Sequence, residues 1–250
     1  MEINVFYLYY DLLNVYGDRG NILIIKKILS ECGLKCNIKY ITVSDNFNYK
    51  NCDILFMGGG QDYEQITVGR DLIRNKKESV KSYIEDEGCG LFICGSYQLL
   101  GRKYIAADGR VIDGAGIFDI YTEKGDNRFT NNIVIESEAL KAKLVGFENH
   151  SGRTFINSYN PLGHVLYGNG NNGIDGSEGL IYKNTICTYM HGCCLSKNPE
   201  ITRFLIMNAV KRKYNETLKI NADDILYIKA KNEILKTYNK KFKKARNPET

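Results

Sequence analysis

One stretch constrains the fold of this chain more than any other: Gly88-Cys89-Gly90-Leu91-Phe92-Ile93-Cys94-Gly95-Ser96-Tyr97-Gln98-Leu99-Leu100-Gly101. The apolar run 91–93 has the length and composition of a buried strand. Two small residues, Gly95 and Ser96, follow Cys94 at once, and 97–100 can continue as a helix. A strand that turns sharply into a helix lifts the residue at the turn out of the end of a sheet. The Cys94 thiol then stands near a helix N-terminus, where free N–H groups and the helix dipole favour a thiolate. A cysteine in an arbitrary place is a small buried hydrophobe. The turn distinguishes Cys94 from the other cysteines, but it names no reaction.

Around this stretch the elements alternate. Residues 3–9 read as a strand and 20–30 as a helix, with Ile22, Ile25, Ile28 and Leu29 near helical spacing. Residues 36–43 read as a strand, and 53–57 as a short buried strand ending in Gly58-Gly59-Gly60. An amphipathic helix is predicted over 71–87, stopped at Gly88. This order predicts an α/β fold with an open, mostly parallel sheet and helices on both faces. From 109 to 136 glycine, aspartate and β-formers mix, which predicts antiparallel strands. Residues 163–179 read as loop, with an exposed turn at 168–173. Residues 180–189 read as a strand running into His191. Two helices close the chain, over 199–213 with Pro199 in the first turn and over 223–244. The expected division is a main domain over 1–215 and a C-terminal amphipathic helix with a basic tail over 216–250.

Three histidines limit the search for a base. His191 follows a strand and precedes Gly192, which lets a substrate approach, so it is the favoured partner for a cysteine nucleophile. His150 also falls at a strand end, and His164 falls in a loop. After the buried strand 53–57, Gly58-Gly59-Gly60-Gln61-Asp62 leaves backbone N–H groups open. The Gly-Lys-Ser/Thr ending of a nucleotide phosphate loop is missing. An oxyanion hole fits better, made by the N–H of Gly59 or Gly60 together with that of Gly95. The simpler reading is a plain tight turn.

Composition excludes several classes. The 250 residues carry a net charge of +5, much of it in Lys236, Lys240, Lys241, Lys243, Lys244 and Arg246. That run reads as a solvated helix face, and no nucleic-acid motif accompanies it. No apolar run is long enough to cross a membrane. Eight cysteines without a secretory signal point to reduced thiols and a cytoplasmic location. Their spacing does not match a zinc site, since Cys193 and Cys194 are adjacent and Cys32 and Cys36 have no second pair, so no metal is expected.

Several stretches together resemble a family. They are Tyr10-Asp11-Leu12-Leu13-Asn14-Val15-Tyr16-Gly17-Asp18-Arg19-Gly20-Asn21, residues 58–62, 94–101, 146–154 and 188–200. The chain resembles class I glutamine amidotransferases of the cobyric acid synthase type, and among them the glutaminase subunits of lipid II isoglutaminyl synthase. The resemblance implies a flavodoxin-like sheet, Cys94 as nucleophile, His191 as base and Arg128 as the residue that selects glutamine. It departs from the family pattern at Ser96, where a second glycine is common, and at Cys193-Cys194, often Pro-Leu. Many class I relatives carry a glutamate two residues after the histidine; Cys193 stands there, which leaves a Cys–His dyad, and Glu178 is a candidate to orient His191.

The implied reaction is glutamine hydrolysis by acyl transfer. The chain holds no ATP motif, so ATP and Mg²⁺ are expected on a partner. The resemblance makes that partner MurT, a Mur-ligase-like protein that amidates the α-carboxylate of D-glutamate in lipid II during peptidoglycan synthesis. Other readings are an amidotransferase for another acceptor such as a corrinoid, a cysteine peptidase, or a non-catalytic interaction subunit on the same fold.

Overall fold

The computed structural model describes residues 1–106, 108–220 and 225–246, the side chains of 225–227 and 239–246 excepted. Of the basic run near the C-terminus, the side chains of Lys240, Lys241, Lys243, Lys244 and Arg246 therefore lie outside the described residues, as does Asp223.

The parallel sheet is built from β1 (Glu2–Leu8), β2 (Lys35–Ile41), β3 (Ile54–Met57), β4 (Cys89–Ile93), β11 (Leu180–Tyr182) and β12 (Thr185–Thr188). Their order across the sheet is β11-β12-β4-β3-β1-β2. All neighbours are parallel except β11, which is antiparallel to β12. Every residue of β3 and β4 is buried. That explains their continuous apolar character, because a parallel strand covered on both faces has no solvent side on which to alternate. Helix α1 (Gly20–Glu31) crosses from β1 to β2. Helices α2 (Asp62–Asp71) and α3 (Lys77–Glu85), joined by a π-helical turn over Leu72–Lys76, cross from β3 to β4. The six-residue α4 (Gly95–Leu100) follows β4 and packs on α2. The short α5 (Cys194–Lys197) and α6 (Pro199–Tyr214) follow β12, and α6 lies on β3 and β4. This is the α/β fold expected, with helices on both faces.

A second sheet is inserted between β4 and β12. It contains β5 (Lys103–Ile105), β6 (Val111–Asp113), β7 (Tyr121–Ser137), β8 (Ala142–Phe155), β9 (Gly163–Tyr167) and β10 (Ser177–Glu178). The order is β10-β9-β7-β5-β6, with β8 paired to β7. Strands β7 and β8 form a long antiparallel ribbon whose register shifts between Lys124 and Phe129. Helix α7 (Ile225–Arg246) sets Tyr238 against Val134 and Val145 of this ribbon, and Lys231 pairs with Glu200 at 2.7 Å.

Four boundaries differ from the sequence reading. The helix predicted from 71 starts earlier, at Asp62. The antiparallel strands expected over 109–136 run on to Ser137, with an irregular stretch at Gly125-Asp126-Asn127. Residues 163–179 include β9 and β10. The strand read over 180–189 is a hairpin, β11 and β12, that turns at Lys183, whose φ is +51°.

Candidate functional site

Cys94 follows the last residue of β4 at the centre of the sheet and adopts φ +53°, ψ −104°. Few residues other than glycine take a positive φ, and such positions concentrate at functional sites. Hydrogen bonds hold the turn from three sides. The Cys94 N–H donates to Thr188 O at 2.8 Å, and the Gln98 N–H donates to Cys94 O at 3.0 Å. The Ser96 hydroxyl lies 2.9 Å from Met57 O and 3.1 Å from Ile93 O. The serine that departs from the family pattern thus ties the turn to the end of the neighbouring strand.

Beside β4, β12 ends at Thr188 and the chain continues to His191. The backbone N–H of His191 donates to Phe147 O at 2.8 Å, which docks this segment on β8. The imidazole is fully buried. Its Nδ1 lies 3.1 and 3.2 Å from the two carboxylate oxygens of Asp18. Among the described residues Nε2 has no hydrogen-bond partner. Burial opposes a charge on this ring, but the nearby Cys94 and the hydrogen bond to Asp18 outweigh it and raise the pKa. A histidine next to a thiol and braced by a carboxylate can store a proton and return it, which acyl transfer requires.

Asp18 is the site residue that sequence reasoning missed. It lies in the loop between β1 and α1 and is fully buried. Besides meeting His191, its Oδ2 accepts the Gly59 N–H at 2.8 Å. Glu178, the residue proposed to orient His191, does other work. Its Oε1 accepts from the Thr188 hydroxyl at 2.6 Å and from the Tyr189 N–H at 2.8 Å. It therefore braces the segment leading to His191 without touching the ring. Burial raises its pKa to about 7.

The glycines divide as the hydrogen bonds dictate. Because the Gly59 N–H is given to Asp18, it cannot also serve an oxyanion, and the expectation for Gly59 is corrected on that ground. Gly59 has a different importance: a Cβ there would lie 2.7 Å from His191 Cε1, so only glycine leaves room for the imidazole. The Gly60 amide nitrogen would sit 3.1 Å from a Cβ on Gly95, so the two peptide groups adjoin. Neither N–H has a backbone partner among the described residues. They are the pair available to an oxyanion.

Cys94 opens into a cavity of about 430 Å³ whose lining includes Tyr16, Gly60, Asp62, Gln65, Tyr104, Arg128 and His150. Arg128 reaches it from the shifted part of β7. Its guanidinium bonds the Asn149 side chain, Asn149 O at 3.2 Å, the Ser151 hydroxyl at 3.5 Å and the Tyr16 hydroxyl at 3.5 Å. His150 is buried and stacked on Tyr189 at 3.6 Å, with Nδ1 2.9 Å from Gly152 O. Burial, with Arg153, His191 and Arg128 nearby, lowers its pKa to about 3, so it stays neutral. A neutral ring held in this way does not shuttle protons near neutral pH. His164 is exposed on β9 and does not line this cavity.

Comparison with known proteins agrees with this geometry. A model of the CobB/CobQ-like glutamine amidotransferase domain matches residues 4–199. The chain is 42% identical over 228 residues to the lipid II isoglutaminyl synthase (glutamine-hydrolyzing) subunit GatD of Streptococcus pneumoniae, covering 90% of this chain and 87% of that protein. It is 44% identical over 212 residues to the subunit of the same name from Staphylococcus aureus, covering 85% and 86%. Among solved structures, PurLQS from Thermotoga maritima has a TM-score of 0.57 at 11% identity, over 84% of this chain and 99% of that one, which is a likeness of fold. The elbow at Cys94, the parallel sheet beneath it and these relatives lead to one conclusion: the chain is a glutamine amidotransferase and belongs to the CobB/CobQ-like family, in its GatD group.

Proposed function

We propose that this chain hydrolyses L-glutamine at Cys94 and supplies the ammonia to an ATP-dependent, Mur-ligase-like partner, MurT, in the cytoplasm. The partner, carrying ATP and Mg²⁺, amidates the α-carboxylate of D-glutamate in lipid II to D-isoglutamine during peptidoglycan synthesis. The observation that carries the glutaminase reading is Cys94, raised at φ +53° into the cavity that Arg128 also lines, with His191 beside it braced by Asp18. The names of the two GatD relatives support the acceptor.

In the proposed reaction the Cys94 thiol gives its proton to His191, and the thiolate sulfur attacks the carbonyl carbon of the glutamine side chain. The oxygen gains negative charge and is held by the N–H groups of Gly60 and Gly95. His191 gives its proton to the leaving nitrogen, and ammonia departs as the C–N bond breaks. The same imidazole then takes a proton from water, whose oxygen attacks the thioester. The C–S bond breaks, glutamate leaves and Cys94 is restored. Asp18 fixes the ring with Nδ1 protonated, so that Nε2 exchanges the proton. Arg128 holds the α-carboxylate, for which a guanidinium fork is suited.

The test uses the chain co-purified with its partner, following glutamate release from L-glutamine and ATP-dependent amidation of lipid II. Cys94→Ala is expected to abolish glutamate release and glutamine-dependent amidation, while added ammonium salt still supports amidation. Undiminished glutamate release by Cys94→Ala would falsify the assignment of the nucleophile.

A further inference from the structure

Two opposite charges line the cavity above Cys94 without pairing with each other. Arg128 directs its hydrogen bonds to Asn149, Ser151 and Tyr16. Asp62, at the first position of α2, accepts the Tyr104 hydroxyl on Oδ1 at 3.0 Å. An aspartate in a first helical turn is favoured by the helix dipole alone, but that role needs no tyrosine. Tyr104 belongs to β5 of the second sheet and is buried, yet its hydroxyl reaches across to this one carboxylate. Burial, followed by the nearby charge of Asp62, pushes the Tyr104 phenol far up, so it remains a donor; Cys94 is close enough to add to the effect. The carboxylate is therefore held in the cavity that Cys94 also lines, and no hydrogen bond falls on its Oδ2 among the described residues.

A free amino acid is a zwitterion, with a carboxylate and an ammonium on the same carbon. A glutamine inside a peptide has neither charge there. A cavity with one cation and one anion, separately braced, matches the free form. We propose that Asp62, oriented by Tyr104, binds the α-ammonium of free L-glutamine while Arg128 takes its α-carboxylate. The inference rests on the glutaminase reading and adds the basis on which the site accepts free glutamine. Tyr104 acts through Asp62 as a positioning residue.

The test compares L-glutamine with glutaramate, which keeps the carboxylate and the carboxamide but lacks the α-ammonium. Wild-type complex should prefer L-glutamine in kcat/KM by about 10–100-fold, the worth of a hydrogen bond to a charged group. Asp62→Asn should lose that preference: kcat/KM for L-glutamine falls, mostly through KM, and that for glutaramate does not change. Tyr104→Phe should lose part of the preference and add little to Asp62→Asn, because both act on one contact. An Asp62→Asn protein that keeps the wild-type preference, or that loses equally on both substrates, overturns the role of Asp62 alone. L-Glutamine binding to Cys94→Ala protein, measured by calorimetry, separates the two readings. A wild-type complex that does not hydrolyse L-glutamine, with a Cys94→Ala protein that does not bind it, overturns the glutaminase reading and this inference together.

Discussion

The two sheets of this molecule contribute differently to one cavity. The parallel sheet delivers Cys94, Gly60, Gly95 and His191 from strand ends and the turns just past them, and Asp18 from the loop after β1. There hydrogen bonds to neighbouring strands pin the backbone of Cys94 and His191. The inserted, mostly antiparallel sheet delivers Arg128, Asn149, His150 and Ser151 from the middle of the β7–β8 ribbon, and Tyr104 from β5. These groups line the same cavity, and Arg128 is exposed. In the proposed reaction bond-making falls to the sheet whose strand ends converge, whereas recognition is shared: Arg128 comes from the inserted sheet and Asp62 from α2 beside the parallel one.

Substitutions on the two sides should therefore fail in different kinetic parameters. The largest loss is expected within the parallel half. His191→Ala should lower kcat for glutamate release by about 10²–10⁴-fold, the usual worth of a general acid–base. Asp18→Asn should approach that loss, with KM little changed, because the amide can hold the ring in the wrong tautomer. A wild-type kcat for Asp18→Asn would detach the carboxylate from the chemistry. The next largest effect is at Gly59. A methyl group there collides with His191 Cε1 at 2.7 Å, and Gly59→Ala should cost on the order of 10²-fold in kcat, as displacements of about 1 Å do. Unimpaired turnover would mean that the imidazole has room to move.

On the antiparallel side, Arg128→Lys should raise KM for glutamine about tenfold or more, since lysine cannot reproduce the planar fork. His150→Ala should keep a substantial share of kcat. Steady-state kinetics of both variants would erase the division between the sheets if kcat fell as far as in His191→Ala. The smallest effect on turnover concerns the join between the halves. Glu178 belongs to β10 of the second sheet but bonds the end of β12 in the first. Its folded pKa of about 7 lies above the unfolded value near 4.5. A protonated Glu178 is thus favoured by folding, and its stabilising contribution is complete below about pH 4.5. It is lost as pH rises through 7, by on the order of 3 kcal/mol. Denaturant unfolding between pH 5 and 8 should show Glu178→Gln losing less stability with rising pH than wild type. Equal slopes would sink this prediction.

What could be read from the sequence followed the same division. The parallel strands announce themselves as short apolar runs, and Cys94 and His191 stand directly after two of them. The β7–β8 ribbon is harder to see, because Asn131 and Asn132 are poor strand formers whose backbone is held by a long partner strand, and Gly125, Asp126 and Asn127 fall where its register shifts. Helix α2 was hidden for a related reason: the residues it buries include Gln65 and Asp71, which interrupt the apolar period. Asp18 was invisible as a site residue because its contact with His191 spans 173 positions. Its surroundings, Gly17-Asp18-Arg19-Gly20, suggest only a turn. The signal would have been an acid that folding buries completely, and burial of a charge in a loop is a property of the tertiary structure. Arg128 carried no local mark at all, and only the resemblance to a family pointed to it.

The backbone angle at Cys94 has a consequence for how such a chain changes over generations. A positive φ at a residue with a side chain costs roughly 1–3 kcal/mol, which the surrounding hydrogen bonds must offset. Glycine would relieve that cost and leave the fold intact. Within this one codon, then, durability and activity favour different amino acids. As long as ammonia is needed, cysteine is retained against the preference of the backbone. In a lineage where the reaction no longer matters, replacement by glycine would be among the changes that the fold itself rewards.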